Sequence, residues 1–217
     1  KIIPILFSNA VTGKNVSLVV EKEHSKKALN VIHGQIFGIS KTVYLILFGH
    51  GTVGNALIGQ LLESAEKIEK KKNIRLNIFG IANSKKILLD ESGIGKDWKS
   101  RIEKEGKNYK TEDIIRFADE RHLENLIAVD NTASKAFTKN YIRLVENGFD
   151  LISSNKIANT VEYEFYKKLR ESLKSNHKEY LYETNVGAGL PLIDTIKLLH
   201  LSGENITKIR GVFSGSI

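Results

Sequence analysis

The chain contains no cysteine among its 217 residues. Disulfide bonds, thiolate zinc sites and thiol catalysis are therefore excluded for this sequence. It also lacks any apolar run near the roughly 20 residues that cross a bilayer, and it does not open with a secretory signal pattern. No His/Cys cluster points to a transition metal, and no serine elbow points to a hydrolase. We accordingly expect a cytoplasmic protein with no membrane partner.

The formal net charge is +8 at pH 7, which raises the question of a nucleic-acid partner. The lysines are interleaved with glutamates in helix-like segments such as "EKIEKKKN" and "EFYKKLRESLKSNHK". This arrangement is more typical of a solvated helix face than of a surface that binds nucleic acid. We therefore expect no nucleic-acid partner, and the positive potential would instead favour an anionic cofactor.

Apolar runs alternate with helical patterns over most of the chain. The run "VYLILF" at 43–48 has no charged residue, which is typical of a strand at the centre of a parallel sheet. Strands separated by helices indicate an α/β fold with a doubly wound parallel sheet. The least periodic part, 86–110, is predicted to be an irregular loop with a short helix. The other predicted strands are 75–82, 125–130 and 150–154, and the predicted helices are 53–71, 111–121, 135–147 and a long helix from about 160.

Three glycines lie in "GHGTVG", between the strand at 43–48 and the helix that follows it. Gly49 would permit a tight turn, Gly51 would let the backbone approach a pyrophosphate, and Gly54 would let the helix pack closely on the strand. The free N–H groups at the start of the helix would attract the phosphates. A structural turn without a ligand is the alternative, but the strand–turn–helix context favours a Rossmann-type dinucleotide site.

The next strand ends without a carboxylate, in "IANSKK". NAD sites usually place Asp or Glu there to bind the ribose 2′-hydroxyl, whereas Ala82, Asn83 and Ser84 carry no charge. Lys85 and Lys86 could bind a 2′-phosphate, or they could simply point into solvent. The pattern favours NADP over NAD.

Polar residues follow two later strands, at the sheet edge where open α/β sheets bind ligands. "VDNTAS" contains Asp130, Asn131 and Thr132, and "SNK" contains Lys156. The first group could contact the nicotinamide or a ribose, or it could cap a helix. The lysine could bind a phosphate or a carboxylate, relay a proton, or lie free on the surface.

A second glycine-rich stretch, "ETNVGAGLP", occupies 183–191. Its two glycines would free the backbone to turn carbonyl groups inward, and Glu183 adds a carboxylate. Hard oxygen ligands of this kind suit a monovalent or weakly held cation. A structural turn is the alternative.

These motifs, in this order, resemble homoserine dehydrogenase, specifically the bifunctional aspartate kinase/homoserine dehydrogenases. The resemblance covers 43–217 and implies NAD(P)-dependent interconversion of L-homoserine and L-aspartate 4-semialdehyde, on the route to threonine and methionine. It also implies a homo-oligomer. Another NAD(P)-dependent dehydrogenase and a non-catalytic, cofactor-sensing module are the alternatives. The stretches that carry the resemblance are "FGHGTVG", "GIANSK", "VDNTAS", "SNKIANT", "YLYETNVGAGLPLI" and "GVFSGSI".

The resemblance also suggests the domain organisation. Residues 1–38 would be the end of an ACT-like regulatory region and 39–42 a linker, followed by an NAD(P)-binding Rossmann domain at 43–180. Residues 181–217 would begin an α+β catalytic and dimerisation domain. The chain opens without methionine and stops in an apolar Gly/Ser segment, so we expect a fragment. The family's substrate-binding acidic residues and catalytic lysine lie after "FSGS", so the fragment should turn over poorly.

By position, the resemblance places the pyrophosphate on the glycine turn, the adenosine ribose beside 82–85, and the nicotinamide beside Thr132 and Lys156. Within the 217 residues, Lys156 is the lysine at a matching active-site position, and on that ground it is predicted to be catalytic. A sodium ion would bind Glu183 and the backbone carbonyls of Val186, Ala188 and Leu190. The predicted cofactor-binding residues are Gly49, Gly51, Thr52, Val53, Gly54, Ala82, Ser84, Lys85, Thr132 and Lys156.

Overall fold

A computed structural model describes residues 3–9, 15–36 and 41–213 of the chain. Within these residues it has an α/β architecture of nine strands and eight α-helices. The strands are β1 (Leu6–Asn9), β2 (Val16–Val19), β3 (Lys41–Phe48), β4 (Ile74–Ala82), β5 (Lys86–Leu89), β6 (Lys107–Asn108), β7 (Leu126–Asp130), β8 (Phe149–Ser153) and β9 (Tyr180–Leu181). The helices are α1 (Ser25–Ile36), α2 (Thr52–Lys72), α3 (Trp98–Glu105), α4 (Thr111–Glu120), α5 (Lys135–Thr138), α6 (Tyr141–Glu146), α7 (Tyr163–Ser175) and α8 (Leu192–Leu201).

Seven of the strands form one twisted sheet in the order β6-β5-β4-β3-β7-β8-β9. The pairs β4–β3, β3–β7, β7–β8 and β8–β9 are parallel. At the other edge β5 pairs antiparallel with β4, and β6 pairs antiparallel with β5. The predicted parallel sheet is therefore confirmed. Because β3 lies at its centre, with β4 on one side and β7 on the other, the chain crosses over at β3 and leaves a crevice at its carboxyl end.

Helices cover both faces of this sheet, as a doubly wound fold requires. Successive side chains of β3 point to opposite faces, so Ile46 and Phe48 pack in the cluster that includes residues of α4, α6 and α7. Leu45 and Leu47 pack in the second cluster, which includes Ile58 of α2 and residues of α3. All four β3 residues are at most 5% exposed, which explains why this strand has an uninterrupted apolar sequence.

The short helix predicted within 86–110 is confirmed as α3, but the prediction of an irregular loop around it was wrong. The segment contains β5, α3 and β6. Asn83 starts the β4–β5 turn, because its Oδ1 accepts the N–H groups of Lys85 at 2.8 Å and Lys86 at 2.7 Å. Such Asx turns are a local sequence signal. Strands β5 and β6, however, are only four and two residues long, too short for a clear periodicity.

Two other boundaries also differ from the predicted ones. The predicted helix 135–147 is interrupted, since α5 ends at Thr138 and α6 begins at Tyr141. The Asn140 side chain donates to the Phe137 carbonyl at 3.1 Å, so it competes with the helical hydrogen bonds at the break. Strand β3 begins at Lys41, two residues before the predicted start.

The ends of the described chain expose apolar side chains. Strands β1 and β2 form a two-stranded antiparallel sheet, and Phe7 and Val16 are 64% and 58% exposed. Beyond β9, Leu201 of α8 is 83% exposed. Both ends have the pattern expected of segments too small to bury a core alone. Among the described residues, none of the helices is both long and apolar enough to span a membrane.

Candidate functional site

Strand register brings the four predicted loops to one edge of the sheet. Phe48 at the end of β3 is paired with Ala82 at the end of β4 and with Asp130 at the end of β7. Asp130 is in turn paired with Ser153 at the end of β8. The glycine turn, the β4–β5 turn, the loop of Thr132 and the loop of Lys156 therefore all begin at the same level.

The glycine turn has the close contacts that its sequence predicts. Gly49 has φ = +83°, a conformation that favours glycine. A Cβ atom on Gly54 would lie 1.9 Å from the Gly49 carbonyl oxygen, so the start of α2 can approach β3 only if this residue is glycine. Gly51 differs, because a Cβ there would meet no atom within 4 Å. The space above Gly51 is open for a ligand.

A cavity of about 680 Å³ opens beside Gly51. The start of α2 forms one wall, the β4–β5 turn forms the second, and α3 forms the third. Gly51 precedes α2 without a side-chain cap, so the helix start can bind an anion through its N–H groups. This cavity combines an anion-binding helix end with basic side chains.

The third wall of the cavity was missed by sequence reasoning. Trp98 is only 5% exposed, and its ring centroid lies 5.2 Å from that of His50. Lys99 places its Nζ 5.5 Å from the centre of the Trp98 ring. Lys86 donates from Nζ to the Glu103 carbonyl at 3.0 Å, so its ammonium is tied to α3. The chain's single tryptophan was the available signal.

On the other side of β3, Asp130 is 2% exposed and accepts three hydrogen bonds. The donors are the Thr132 backbone N–H at 2.7 Å, the Tyr141 hydroxyl at 2.6 Å and the Asn155 side-chain amide at 2.9 Å. Sequence reasoning placed Asp130 at this edge but did not find Tyr141 or Asn155. Burial, followed by the nearby Asp130 carboxyl, raises the pKa of Tyr141, so its hydroxyl stays a donor.

Lys156 lies directly after Asn155 and has an exposed side chain. A 3₁₀ turn, Ile157–Asn159, follows it. The Asn155 side-chain oxygen accepts the Ile157 N–H at 3.1 Å, so the backbone on both sides of the lysine is fixed. The ammonium group is thus presented to solvent from a rigid backbone at the ligand-binding edge.

Comparison with known proteins identifies the family. The family model described as the NAD binding domain of homoserine dehydrogenase matches residues 49–183. The chain belongs to this homoserine dehydrogenase family. The match runs from the glycine turn to the "ETN" segment, so it includes every loop at the ligand-binding edge.

Two curated relatives extend the similarity beyond this domain. The bifunctional aspartokinase/homoserine dehydrogenase of Buchnera aphidicola is 38% identical over 218 residues, which cover 100% of this chain and 27% of that protein. The Haemophilus influenzae protein of the same name is 34% identical, with 98% of this chain and 26% of that protein covered. The chain therefore spans about a quarter of the length of these relatives.

A solved structure supports the fold. A hyperthermophilic archaeal homoserine dehydrogenase in complex with NADPH has a TM-score of 0.51 and 24% identity. The match covers 71% of this chain and 48% of that one. The two proteins therefore share a fold over the matched residues.

The predicted cation ligands lie in one loop before α8. Both Glu183 carboxylate oxygens accept N–H groups from the first turn of α8, from Ile193 at 2.9 Å and from Asp194 at 2.8 Å. The Leu190 carbonyl accepts the Leu192 N–H at 2.9 Å. Gly187 and Ala188 have φ values of +73° and +52°, so this backbone turns sharply. Carboxylate and carbonyl oxygens can accept more than one partner, and the sodium site stays a prediction.

Proposed function

We propose that this chain is the cofactor-binding part of an enzyme that interconverts L-homoserine and L-aspartate 4-semialdehyde with NADP or NAD. The observation that carries the proposal is the open space over Gly51, in the cavity formed by the start of α2, the β4–β5 turn and α3. In the proposal, Gly49, Gly51 and Gly54 form the pyrophosphate site, and the backbone of Thr52 and Val53 supplies N–H groups to it.

The two ends of the dinucleotide fit on opposite sides of this turn. Ala82, Ser84 and Lys85 would hold the adenosine ribose, and Thr132 and Lys156 would face the nicotinamide. When bound, the nicotinamide ring supplies or accepts the hydride. The Lys156 ammonium would give a proton to the alkoxide oxygen that develops on the substrate, or take it back in the reverse direction.

NADP is the favoured cofactor in this proposal. The end of β4 offers no carboxylate to a ribose 2′-hydroxyl, and the Asn83 turn holds the backbone of Lys85 at the cavity. The Lys86 ammonium donates to the Glu103 backbone carbonyl. We therefore assign Lys99 on α3, rather than Lys86, as the second cation beside the cavity. Two exposed ammonium groups in one cavity suit a 2′-phosphate.

The decisive experiment is isothermal titration with NADPH of the wild type and of Gly51→Val. The valine Cβ would enter space that no protein atom occupies, so the fold should persist while the pyrophosphate is excluded. We expect affinity to fall about 100-fold or more, equivalent to roughly 3 kcal/mol. The matched control is Gly59→Val, farther along α2, where a Cβ also meets nothing within 4 Å. Unchanged binding by folded Gly51→Val protein would refute the pyrophosphate site.

The activity itself is tested by following reduction of NADP⁺ with L-homoserine. We propose that these 217 residues bind the cofactor but oxidise homoserine negligibly, since the resemblance places the substrate-binding residues after "FSGS". Steady turnover by this chain alone would contradict that part. A protein of the relatives' full length should be active, and failure of homoserine as its substrate would favour another dehydrogenase.

A sodium ion held by Glu183 and the carbonyls of Val186, Ala188 and Leu190 belongs to the same proposal, as do a homo-oligomer and a cytoplasmic location. The sharply turned backbone at Gly187 and Ala188 supports the ion. Replacing sodium chloride by choline chloride should then lower the melting temperature. An identical melting temperature in both salts would argue for a structural turn.

A further inference from the structure

The buried Asp130 carboxyl occupies the position that joins the two loops assigned above to the nicotinamide. It is 2% exposed, and each of its oxygens serves a different loop. Oδ1 accepts the Thr132 backbone N–H at 2.7 Å, and Oδ2 accepts the Asn155 amide at 2.9 Å. We call the hydrogen bond from Thr132 to Oδ1 the Thr132 arm of this network, and the hydrogen bond from Asn155, the residue before Lys156, to Oδ2 the Lys156 arm.

The Thr132 arm reaches the glycine turn. A Cβ built on Gly49 would lie 3.0 Å from Thr132 Cγ2, so the threonine side chain packs directly against this glycine. The glycine turn therefore gives the Thr132 side chain a surface to pack on. Its side-chain oxygen is 3.4 Å from the Asn155 amide, which links the two arms a second time.

The Lys156 arm is held on both sides of the lysine. Asn155 donates to Asp130 through Nδ2 and accepts the Ile157 N–H through Oδ1. The Asn155 backbone N–H also donates to Ser153 Oγ at 2.9 Å. Asn155 is 3% exposed, so these hydrogen bonds are shielded from competing water.

Tyr141 holds the carboxyl in place from the side of α6. Its hydroxyl donates to Asp130 Oδ2 at 2.6 Å and lies 2.9 Å from Ser153 Oγ. The side chain is 1% exposed and packs in the core between α6 and the sheet. Removing this hydroxyl would deprive a buried carboxyl oxygen of a donor that water cannot easily replace.

We propose that Asp130 and Tyr141 are positioning residues that set the places of Thr132 and Lys156 for the nicotinamide half of the dinucleotide. The inference rests on the proposed function. It predicts a one-sided defect, because the cavity beside Lys85, Trp98 and Lys99 belongs to α2, α3 and the β4–β5 turn. Damage to the Asp130 network should weaken contacts to the nicotinamide half and spare the adenosine half.

The test is a pair of titrations on wild type and Tyr141→Phe, one with NADP⁺ and one with 2′,5′-ADP, which is the adenosine half alone. In the wild type NADP⁺ should bind more tightly than 2′,5′-ADP. In Tyr141→Phe we expect NADP⁺ affinity to fall about fivefold to tenfold, in line with loss of one hydrogen bond to a buried carboxyl. The affinity for 2′,5′-ADP should stay unchanged.

A loss of stability alone would not produce this split between the two ligands. Ile114→Val in α4 shortens a fully buried core side chain and serves as the stability control, with both affinities unchanged. If Tyr141→Phe does not fold, Ser153→Ala removes a neighbouring hydroxyl of the same network and should show the same split. Equal losses for both ligands, or none, would overturn the positioning role.

The outcomes also separate this inference from the proposed function. Wild-type protein that binds neither ligand would refute both. Wild-type protein that binds 2′,5′-ADP and NADP⁺ equally well would leave the adenosine site intact and overturn the inference, because no nicotinamide contacts would then exist to position.

Discussion

The two sides of β3 at the ligand-binding edge are built in opposite ways. On the cavity side, formed by the start of α2, the β4–β5 turn and α3, the polar groups include the exposed ammonium groups of Lys85 and Lys99. On the Asp130 side, formed by the ends of β7 and β8 and by α6, the polar groups are buried and hydrogen-bonded to one another. Exposed charges supply attraction with little geometric demand, whereas a buried network fixes positions.

The difference matches what each end of a dinucleotide requires. A phosphate presents charge in several directions, so a flexible ammonium on Lys85 or Lys99 can follow it. Hydride transfer instead demands one orientation of the reacting ring, which a rigid wall provides. The glycine turn lies between the two sides and supports both.

The largest expected effect is the loss of ligand binding on both the cavity side and the Asp130 side. Gly54→Ala places a Cβ 1.9 Å from the Gly49 carbonyl oxygen, so α2 must move away from β3. We expect the free energy of unfolding to fall by about 2 kcal/mol or more, with binding of both NADP⁺ and 2′,5′-ADP lost. Urea denaturation and titration measure the two effects.

Gly59→Ala is the control for this substitution. Its Cβ meets nothing within 4 Å in the interior of α2. Alanine there should stabilise the protein by roughly 0.5 to 1 kcal/mol, because it reduces the freedom of the unfolded chain. If Gly54→Ala behaved like this control, close packing of the turn would not be the reason for its glycine.

The next effect separates the cavity side from the Asp130 side. Lys85→Gln and Lys99→Gln should each weaken NADPH binding about threefold to tenfold, as expected for exposed charge contacts, and should leave NADH binding unchanged. Trp98 is the single tryptophan and lies on the cavity wall, so its fluorescence reports binding there. Lys104→Gln, an exposed lysine later in α3 that does not line the cavity, is the control.

Equal weakening of NADPH and NADH by the two cavity substitutions would contradict recognition of the 2′-phosphate. The salt dependence gives a second check. Because exposed charges are screened, the preference for NADPH over NADH should shrink as the salt concentration rises.

The sequence was sufficient to predict the glycine turn and the sheet, for reasons that particular residues illustrate. The β3 run is apolar because both of its faces are covered, and the close approach at Gly54 allows only one residue type. Each of these constraints acts over a few neighbouring positions. They therefore leave a local pattern that the sequence displays.

The missed features depend on contacts between segments. Tyr141 meets Asp130 from the first residue of α6, after the break that follows α5, whereas a continuous helix was predicted there. Trp98 reaches the cavity because β5 turns back antiparallel beside β4. A polar residue at the end of a strand also does not reveal its own burial, so Asp130 and the exposed Lys156 looked equivalent in the sequence.

The smallest expected effect compares Asp130 with a carboxylate near the cavity side. Asp90 follows β5 and is bonded by the Ser92 hydroxyl and by Arg101 of α3, whose Nη1 lies 3.0 Å from Oδ2. The Ser92 hydrogen bond, with Arg101 acting in the same direction, lowers the pKa of Asp90 below its ordinary 3.8. A lowered pKa stabilises the fold above pH 3.8, and this contribution is lost as the pH falls through the lowered value.

Ser92→Ala should therefore raise the pKa of Asp90 and reduce the free energy of unfolding at pH 7 by about 0.5 to 1 kcal/mol. The difference between variant and wild type should narrow as Asp90 becomes protonated below pH 3.8. Ser175→Ala also removes a serine hydroxyl, one that donates to the Glu171 carbonyl, so its effect should not change with pH. NMR titration of the Asp90 carboxyl measures the shift directly. An unchanged titration in Ser92→Ala would mean that Arg101 and the Ser92 backbone N–H, which donates to Asp90 Oδ1 at 3.0 Å, govern this carboxylate without help from the hydroxyl.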